Sequence, residues 1–380
     1  MASSRGPLHA GRCENGRRLH PHCLTAGSIF GSNEISALPE AYTLVESASL
    51  APLNTLRVAA TTRWLAEVSD AAALPHLLAH DAAREGVLVL GEGSNVLFAS
   101  DFPGLVLRPA FQAVCTLEDD GRTALVRAEA GMNWDVLVDW TLARRLSGLE
   151  NLALIPGLAG AAPIQNIGAY GVEVAECIET VEAWDRVRQR FERLAREDCR
   201  FGYRDSEFKR TPERWIVTAV EFRLSRAPQL RLDYAGVRDE LAALGIGEPT
   251  PQRVAEAVRR LRRRKLPDPE VIGNAGSFFK NPVVDASFAM QLKASHPDAP
   301  VYPAGEHSKL SAAWLIERCG WRGFRDGDAG IAAKHALVLV NHGRASGAEL
   351  LSLARRVARS VEECFGVRLE PEPRIVGERW

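Results

Sequence analysis

Residues 152–171 read LALIPGLAGAAPIQNIGAYG, and this stretch limits what the chain can fold into more than any other. It is long, rich in Gly, Ala and Pro, and nearly without charge. Proline removes a helical donor and glycine adds backbone entropy, so a regular helix is excluded. An exposed loop of this length would normally carry charge. What is left is backbone that closely approaches something else, with Gln165 and Asn166 offering amide groups. A second small-residue stretch, GEGSN (91–95), interrupts an apolar run VLVLGEGSNVLF (87–98) that reads as a strand that breaks and resumes. Consecutive small residues after a strand let backbone N–H groups converge on an anion such as a pyrophosphate. GEGSN lacks both the GxGxxG spacing and a Walker lysine, so alone it is equally a tight turn. Two such stretches beside apolar strands point to a cradle for a large cofactor.

The rest of the chain alternates helix and strand signals. VRAEAGMNWDVLVDWTLARRL (126–146) predicts a strand, a glycine turn and an amphipathic helix. Thr250 and Pro251 form an N-cap and first helical position, Val254, Val258 and Leu261 share a face, and LPDP (266–269) stops that helix. LSAAWLIERCG predicts a short helix closed by Gly320, and HALVLVN (335–341) a strand. Ser346 and Glu349 form a capping box for a helix with Leu350, Leu353, Val357 and Val361 on one stripe, closed by Gly366. The class is mixed α and β.

Composition excludes several functions. A net charge of −1 gives no global field for nucleic acid or a membrane surface. No apolar run reaches the length of a membrane helix. The seven cysteines are scattered, odd in number and form no CxxC pair, which argues for reduced thiols in the cytoplasm and against a zinc site. Residues 1–47 lack a long apolar segment and read as a disordered extension.

Four further segments could carry chemistry, each with a plain structural alternative. CRFGYRDSEFKR (199–210) holds Arg204, able to grip a carboxylate through paired donors or to sit in a solvated turn beside Asp205. RRLRRRK (259–265) is a solvated helix face or a diphosphate site for a small substrate. GNAGSFFKNP (273–282) sets Ser277 beside two phenylalanines. It is outside any GxSxG elbow, so Ser277 is a turn hydroxyl or a half-buried proton donor. In LEPEPRIVG (369–377), Pro371 and Pro373 flank Glu372 and would hold it rigidly, or simply stiffen a terminal strand.

Together, in this order, these segments resemble the UDP-N-acetylenolpyruvoylglucosamine reductase family, from SLAPLNTLRV (49–58) to LEPEPRIVG. The uninterrupted LPDPEVIGNAGSFFKNP and the tyrosine of LDYAGV resemble its longer form, which carries a substrate-capping tyrosine loop. The resemblance implies an α+β chain with a two-subdomain FAD-binding fold of the vanillyl-alcohol oxidase type over residues 48–265, completed by 366–380. A C-terminal α+β substrate-binding domain over 266–365 would accompany it. It implies electron transfer from NADPH through non-covalent FAD to UDP-N-acetylglucosamine enolpyruvate, giving UDP-N-acetylmuramate for peptidoglycan, in a cytoplasmic monomer with no resident metal.

The same resemblance implies site residues. Ser277 would be the proton donor, with Arg204 and Glu372 stabilising an enolate-like intermediate. Gly91, Gly93, Ser94, Asn95, Gly157, Gly160, Pro163, Gln165, Asn166, Gly168 and Tyr170 match flavin-cradle positions. Tyr234, Lys265 and Asn281 match substrate-binding positions. A carboxylate beside the substrate's carboxylate would repel it, so Glu372 has to be protonated or to orient a donor. Lys280 is a candidate for making Ser277 acidic enough. A flavin oxidase of the same superfamily and a non-catalytic nucleotide-binding module are the alternatives.

Overall fold

A computed structural model describes residues 41–234 and 236–380. Of the expected 1–47 extension, residues 1–40 lie outside the described residues. Residues beyond them depart from the expectation: Tyr42–Ser49 is strand β1, antiparallel to β2 (Thr61–Val68) from the Tyr42↔Val68 to the Ser49↔Thr61 pair. Its mixed pattern is that of an edge strand with only partial burial, which leaves little apolar periodicity to read.

The first sheet has the order β1-β2-β5-β3, with β3 (Val87–Val89) and β2 both parallel to β5 (Phe102–Pro109). Leu74 and Leu77 of helix α1 (Leu74–Ala79) pack beneath it against Leu105 and Leu107. The resumed run β4 (Val96–Phe98) does not continue β3. It leaves for a separate parallel pair with β20 (Arg374–Val376), so the C-terminal strand is laid beside the GEGSN turn.

The second sheet is antiparallel, ordered β11-β10-β12-β7-β6, from β6 (Val114–Asp119), β7 (Thr123–Glu129), β10 (Ile178–Asp185), β11 (Arg190–Ala195) and β12 (Trp215–Ser225). Its apolar face meets α2 (Trp134–Ala143), α4 (Val237–Ala243) and α5 (Pro251–Lys265) around Trp134, Phe222, Leu241 and Val258. Between α2 and β10 the chain runs as turns plus the short pair β8 (Gly168–Ala169) and β9 (Val172–Glu173), the irregular path that the glycine-rich composition requires.

The last layer joins β13 (Gly273–Ser277), β17 (Arg325–Asp326), β18 (Ala329–Ile331) and β19 (Val338–Asn341) in the order β13-β19-β18-β17. A small sheet of β14 (Val283–Asp285), β15 (Val301–Ala304) and β16 (His307–Leu310) lies beside it, in the order β14-β16-β15. Helices α6 (Ala286–Ser295), α7 (Ala312–Arg318) and α8 (Gly347–Phe365) complete it. The expected Ser346–Glu349 capping box and left-handed Gly366 cap bound α8, and Thr250 caps α5. Leu350, Val357 and Val361 of α8 share one core with Leu56, Leu97 and Phe98, which fuses this layer to the GEGSN region.

Candidate active site

Ser277 ends β13 just after a bulge. Register with β19 shifts between Asn274 and Ser277, and Gly276 in the shift has φ +67°, which favours glycine. Bulges re-aim side chains, and this one frees Ser277 from the regular alternation of the strand. The break also lets both adjacent phenylalanines bury: Phe278 and Phe279 are each 1% exposed, with rings edge-to-face at 5.1 Å. Ser277 is half-buried above them.

The same segment pairs with the terminal one. Glu372 N–H donates to Phe278 O at 2.8 Å, Lys280 N–H donates to Glu370 O at 2.9 Å, and Phe279 bridges Pro371. Glu372 is thereby tied by backbone to the residue after Ser277, although the two are far apart in the chain. Arg204 arrives from the tight turn Gly202–Asp205 with φ +53°, a left-handed conformation that costs a non-glycine residue about 1–2 kcal/mol. Its Nε lies 2.9 Å from Glu372 Oε1, with both side chains 17% exposed. The approach is off-axis, so this buried Nε is left without a well-formed hydrogen bond. Nη2 donates to Gly168 O at 2.6 Å. The expected Arg204–Asp205 pair is absent among the described contacts; Asp205 is bound by Arg210 instead, at 2.6 Å.

The two glycine-rich stretches face each other. Glu92 accepts from Gly157 N at 2.7 Å and from Asn133 Nδ2 at 2.5 Å. Ser94 Oγ donates to Pro156 O at 3.1 Å, and Asn95 Nδ2 donates to Gln165 Oε1. A Cβ on Gly93 (φ +63°) would fall 2.0 Å from Leu53 O, and one on Gly160 2.4 Å from Ala130 Cβ, so bulk is barred at both. Among the described residues, the N–H groups of Glu92, Gly93, Ser94 and Asn95 find no protein acceptor. Four consecutive free donors on a glycine turn are what an anion such as a pyrophosphate can use.

A family model for an FAD binding domain matches residues 65–187, and one for the UDP-N-acetylenolpyruvoylglucosamine reductase C-terminal domain matches residues 268–376. A UDP-N-acetylenolpyruvoylglucosamine reductase of Xanthomonas axonopodis pv. citri is 56% identical over 348 residues, 90% of this chain and 99% of the relative. One from Xylella fastidiosa (strain M12) is 56% identical over 337 residues, 88% and 96% of the two chains. The crystal structure of the reductase from Thermus caldophilus superposes with a TM-score of 0.60 at 28% identity, covering 88% of this chain and 98% of that one.

The chain belongs to the UDP-N-acetylenolpyruvoylglucosamine reductase family. It is an α+β, FAD-dependent oxidoreductase with an FAD-binding domain and a reductase C-terminal domain. The residues present fit FAD: free donors suited to its pyrophosphate line a turn whose glycines exclude side chains, opposite a second charge-poor stretch.

Three residues of the expected cradle also make contacts within the protein. Asn166 is 1% exposed, and its side chain is engaged inside the protein: Nδ2 donates to Glu173 Oε2 and Gly202 O at 2.7 and 3.0 Å, and Oδ1 accepts from Ala175 N at 3.0 Å. It braces the Arg204 turn and has no amide hydrogen left for a flavin. Gly168 also serves the arginine, since a Cβ there would come 2.9 Å from Arg204 Nη1. Tyr170 is buried edge-to-face on Tyr234 at 5.2 Å, so it supports the half-exposed Tyr234. Burial pushes both phenols above their ordinary range. Pro163 is buried, and a Cβ on Gly91 would lie 3.4 Å from the Leu158 side chain.

On the substrate side, Asn281 Oδ1 accepts from Ala312 N at the start of α7 (3.0 Å), leaving its Nδ2 free. Lys265 is exposed at the end of α5, on the His335 side, and no described hydrogen bond or ion pair joins it to the Ser277 group. In the rest of the basic run, Arg260, Arg263 and Arg264 lie on the exposed face of α5, as a solvated face requires, while Arg259 and Arg262 turn towards the protein. Arg259 grips Asp135 and Asp139 at 2.8 and 2.6 Å, Arg264 pairs with Glu240 at 2.7 Å, and Arg262 Nε donates to Leu154 O at 3.1 Å. Lys280, the candidate for activating Ser277, is paired with Glu370 at 3.0 Å.

Two further side chains that the sequence reading did not select lie beside Arg204. Tyr203 is flanked by Arg204 and by Lys309, whose Nζ lies 4.7 Å over its ring. Burial pushes the Lys309 ammonium below its ordinary range, and Arg204 adds to the push. Scarcity of lysine was the one available signal: Lys309 is one of six in the chain.

Among the described residues no group of three or more His, Cys, Asp or Glu could hold a metal ion, and no helix is long and apolar enough to cross a membrane.

Proposed function

We propose that this chain catalyses the NADPH-dependent reduction of UDP-N-acetylglucosamine enolpyruvate to UDP-N-acetylmuramate, with Ser277 as proton donor. The observation that carries the reading is the convergence of three distant segments: the segment that follows Ser277 is hydrogen-bonded to the backbone of Glu372, and Glu372 meets Arg204 at 2.9 Å. When bound, FAD supplies the hydride-carrying chemistry. Ser277 donates a proton to the carbon next to the site of hydride addition. Arg204, a fixed cation, stabilises the negative charge that builds on the enolpyruvyl carboxylate. Of the two roles open to Glu372, contact with Arg204 supports orienting the guanidinium.

Gly91, Gly93, Ser94, Asn95, Gly157, Gly160 and Gln165 hold the flavin in this reading, while Tyr234, Asn281, Lys265 and Lys309 hold the UDP-sugar. The flavin region spans 48–265 and is completed by 366–380, which the parallel β20–β4 pair supports, and 266–365 carry the substrate. The enzyme works as a cytoplasmic monomer.

Stopped-flow absorbance tests the proposal. Flavin should bleach with NADPH and recover its colour with UDP-N-acetylglucosamine enolpyruvate. Ser277→Ala should keep the first step and slow the second by roughly 10²–10⁴-fold, the contribution of a general acid. Equal loss in both steps would make Ser277 structural. A preparation colourless after FAD addition would refute the reading outright.

A further inference from the structure

Lys209 lies on the short helix α3 (Glu207–Arg210), one turn beyond Arg204. That helix is fixed to the glycine-rich stretch: Ser206 Oγ donates to Ile164 O at 2.5 Å and accepts from Lys209 N at 3.2 Å. The Lys209 Nζ at the end of this anchored backbone is fully buried and has no hydrogen-bond partner. A buried ammonium without a partner is among the more costly arrangements a protein can keep.

The charges around it are Glu372, Asp205, Lys280 and Arg204. Most are already engaged. Asp205 Oδ2 is held by Arg210 at 2.6 Å, and its Oδ1 accepts from Ser206 N at 2.9 Å. Lys280 is paired with Glu370 at 3.0 Å. Glu372 is the carboxylate that remains, and its own partner holds it poorly, because the Arg204 Nε contact is off-axis. Burial and then Lys280 push the Lys209 ammonium below its ordinary range, while Glu372 and Asp205 oppose them.

In the proposed reaction Arg204 has to meet a substrate carboxylate. That brings a second carboxylate up to Glu372 while withdrawing the cation beside it. We propose that Lys209 is a positioning residue for this step: its buried ammonium takes over the Glu372 carboxylate when Arg204 turns to the substrate. The exchange keeps each carboxylate next to one cation and removes the repulsion between them. The inference rests on the functional reading above. It explains why an amine is kept where no group in the described structure receives it, and why the Arg204–Glu372 contact is close but misaligned.

A double-mutant cycle tests it. Lys209→Met, Glu372→Gln and the double variant are each loaded with FAD, reduced with NADPH and mixed with UDP-N-acetylglucosamine enolpyruvate. Lys209→Met alone should keep its flavin spectrum and its reduction by NADPH, and should lose about ten- to one-hundred-fold in the rate of flavin reoxidation. In the Glu372→Gln background the same replacement should cost less than about twofold, or recover some rate, because the carboxylate it serves is gone. Lys209→Arg, which keeps the charge, should retain part of the wild-type rate. Equal fold losses in both backgrounds, or no loss in the wild-type background, would overturn the proposal. If Lys209→Met yields no flavoprotein, Lys209→Gln carries the cycle. Wild-type enzyme that is reduced by NADPH yet not reoxidised by the enolpyruvate refutes the functional reading itself. A normal wild type alongside a Lys209→Met variant that keeps pace with it refutes only the role of Lys209.

Discussion

Glu92 is one of three residues that bridge the two glycine-rich stretches, and Glu92→Gln is a narrow way to test its share. The carboxylate receives Gly157 N–H on Oε2 at 2.7 Å and Asn133 Nδ2 on Oε1 at 2.5 Å. Glutamine has the same shape but one acceptor oxygen, so one of these donors must face an NH₂ group. Asn133 cannot resolve the conflict by flipping, because its Oδ1 caps α2 by accepting from Val136 N at 3.1 Å, and losing an N-cap costs about 1 kcal/mol. Gly157 cannot easily turn away either, with φ at +133° and its carbonyl accepting from Trp134 N. One orphaned donor and the loss of charge assistance together come to roughly 2–3 kcal/mol. Without FAD the variant can relieve this by letting the two stretches part. FAD binding must then close them again, so the FAD dissociation constant should rise by about ten- to one-hundred-fold at about 1.4 kcal/mol per decade. Titration of apoprotein with FAD, followed by flavin fluorescence quenching, reads this directly. An FAD affinity within about twofold of wild type, with an unchanged melting temperature, would refute the claim that Glu92 holds the cradle together.

Three further predictions concern other parts of the molecule. Gly168→Ala puts a methyl 2.9 Å from Arg204 Nη1, so the guanidinium has to shift; reoxidation by substrate should fall by about ten- to one-hundred-fold with little loss of FAD, and the reverse pattern, measured by FAD content and stopped flow, would return Gly168 to the cradle. Burial pushes the thiols of Cys177 and Cys199 up to about 12 from 9.0, so the folded state favours the protonated form. Their stability contribution is therefore present below pH 9 and lost as pH rises from 9 towards 12, which urea unfolding across that range would show. At pH 8 the exposed Cys364 should be alkylated well before either, as peptide mass spectrometry would reveal, and equal labelling would contradict their burial.

What was legible in the sequence were the features whose physics is local. A capping box is read within four residues, so Ser346 and Glu349 marked the start of α8 correctly. A missing Cβ shows in composition, so both glycine-rich stretches stood out before their contacts were known. Edge strand β1 was lost because partial burial leaves no strong period beside the segment that precedes it. In the basic run, the partners of Arg259, Arg262 and Arg264 could not be read locally, because Asp135, Asp139, Glu240 and the Leu154 carbonyl come from elsewhere in the chain. Glu92 sat inside a motif read for its glycines, where a charge looked incidental. Lys209 was quoted within its motif yet passed over, for a deeper reason. Whether an amine is an ordinary surface cation or an orphan depends on which carboxylates other cations have already taken. Arg210 takes Asp205 and Glu370 takes Lys280, so the part Lys209 plays is set by two neighbouring pairs and by a glutamate that the chain reaches more than 160 residues later.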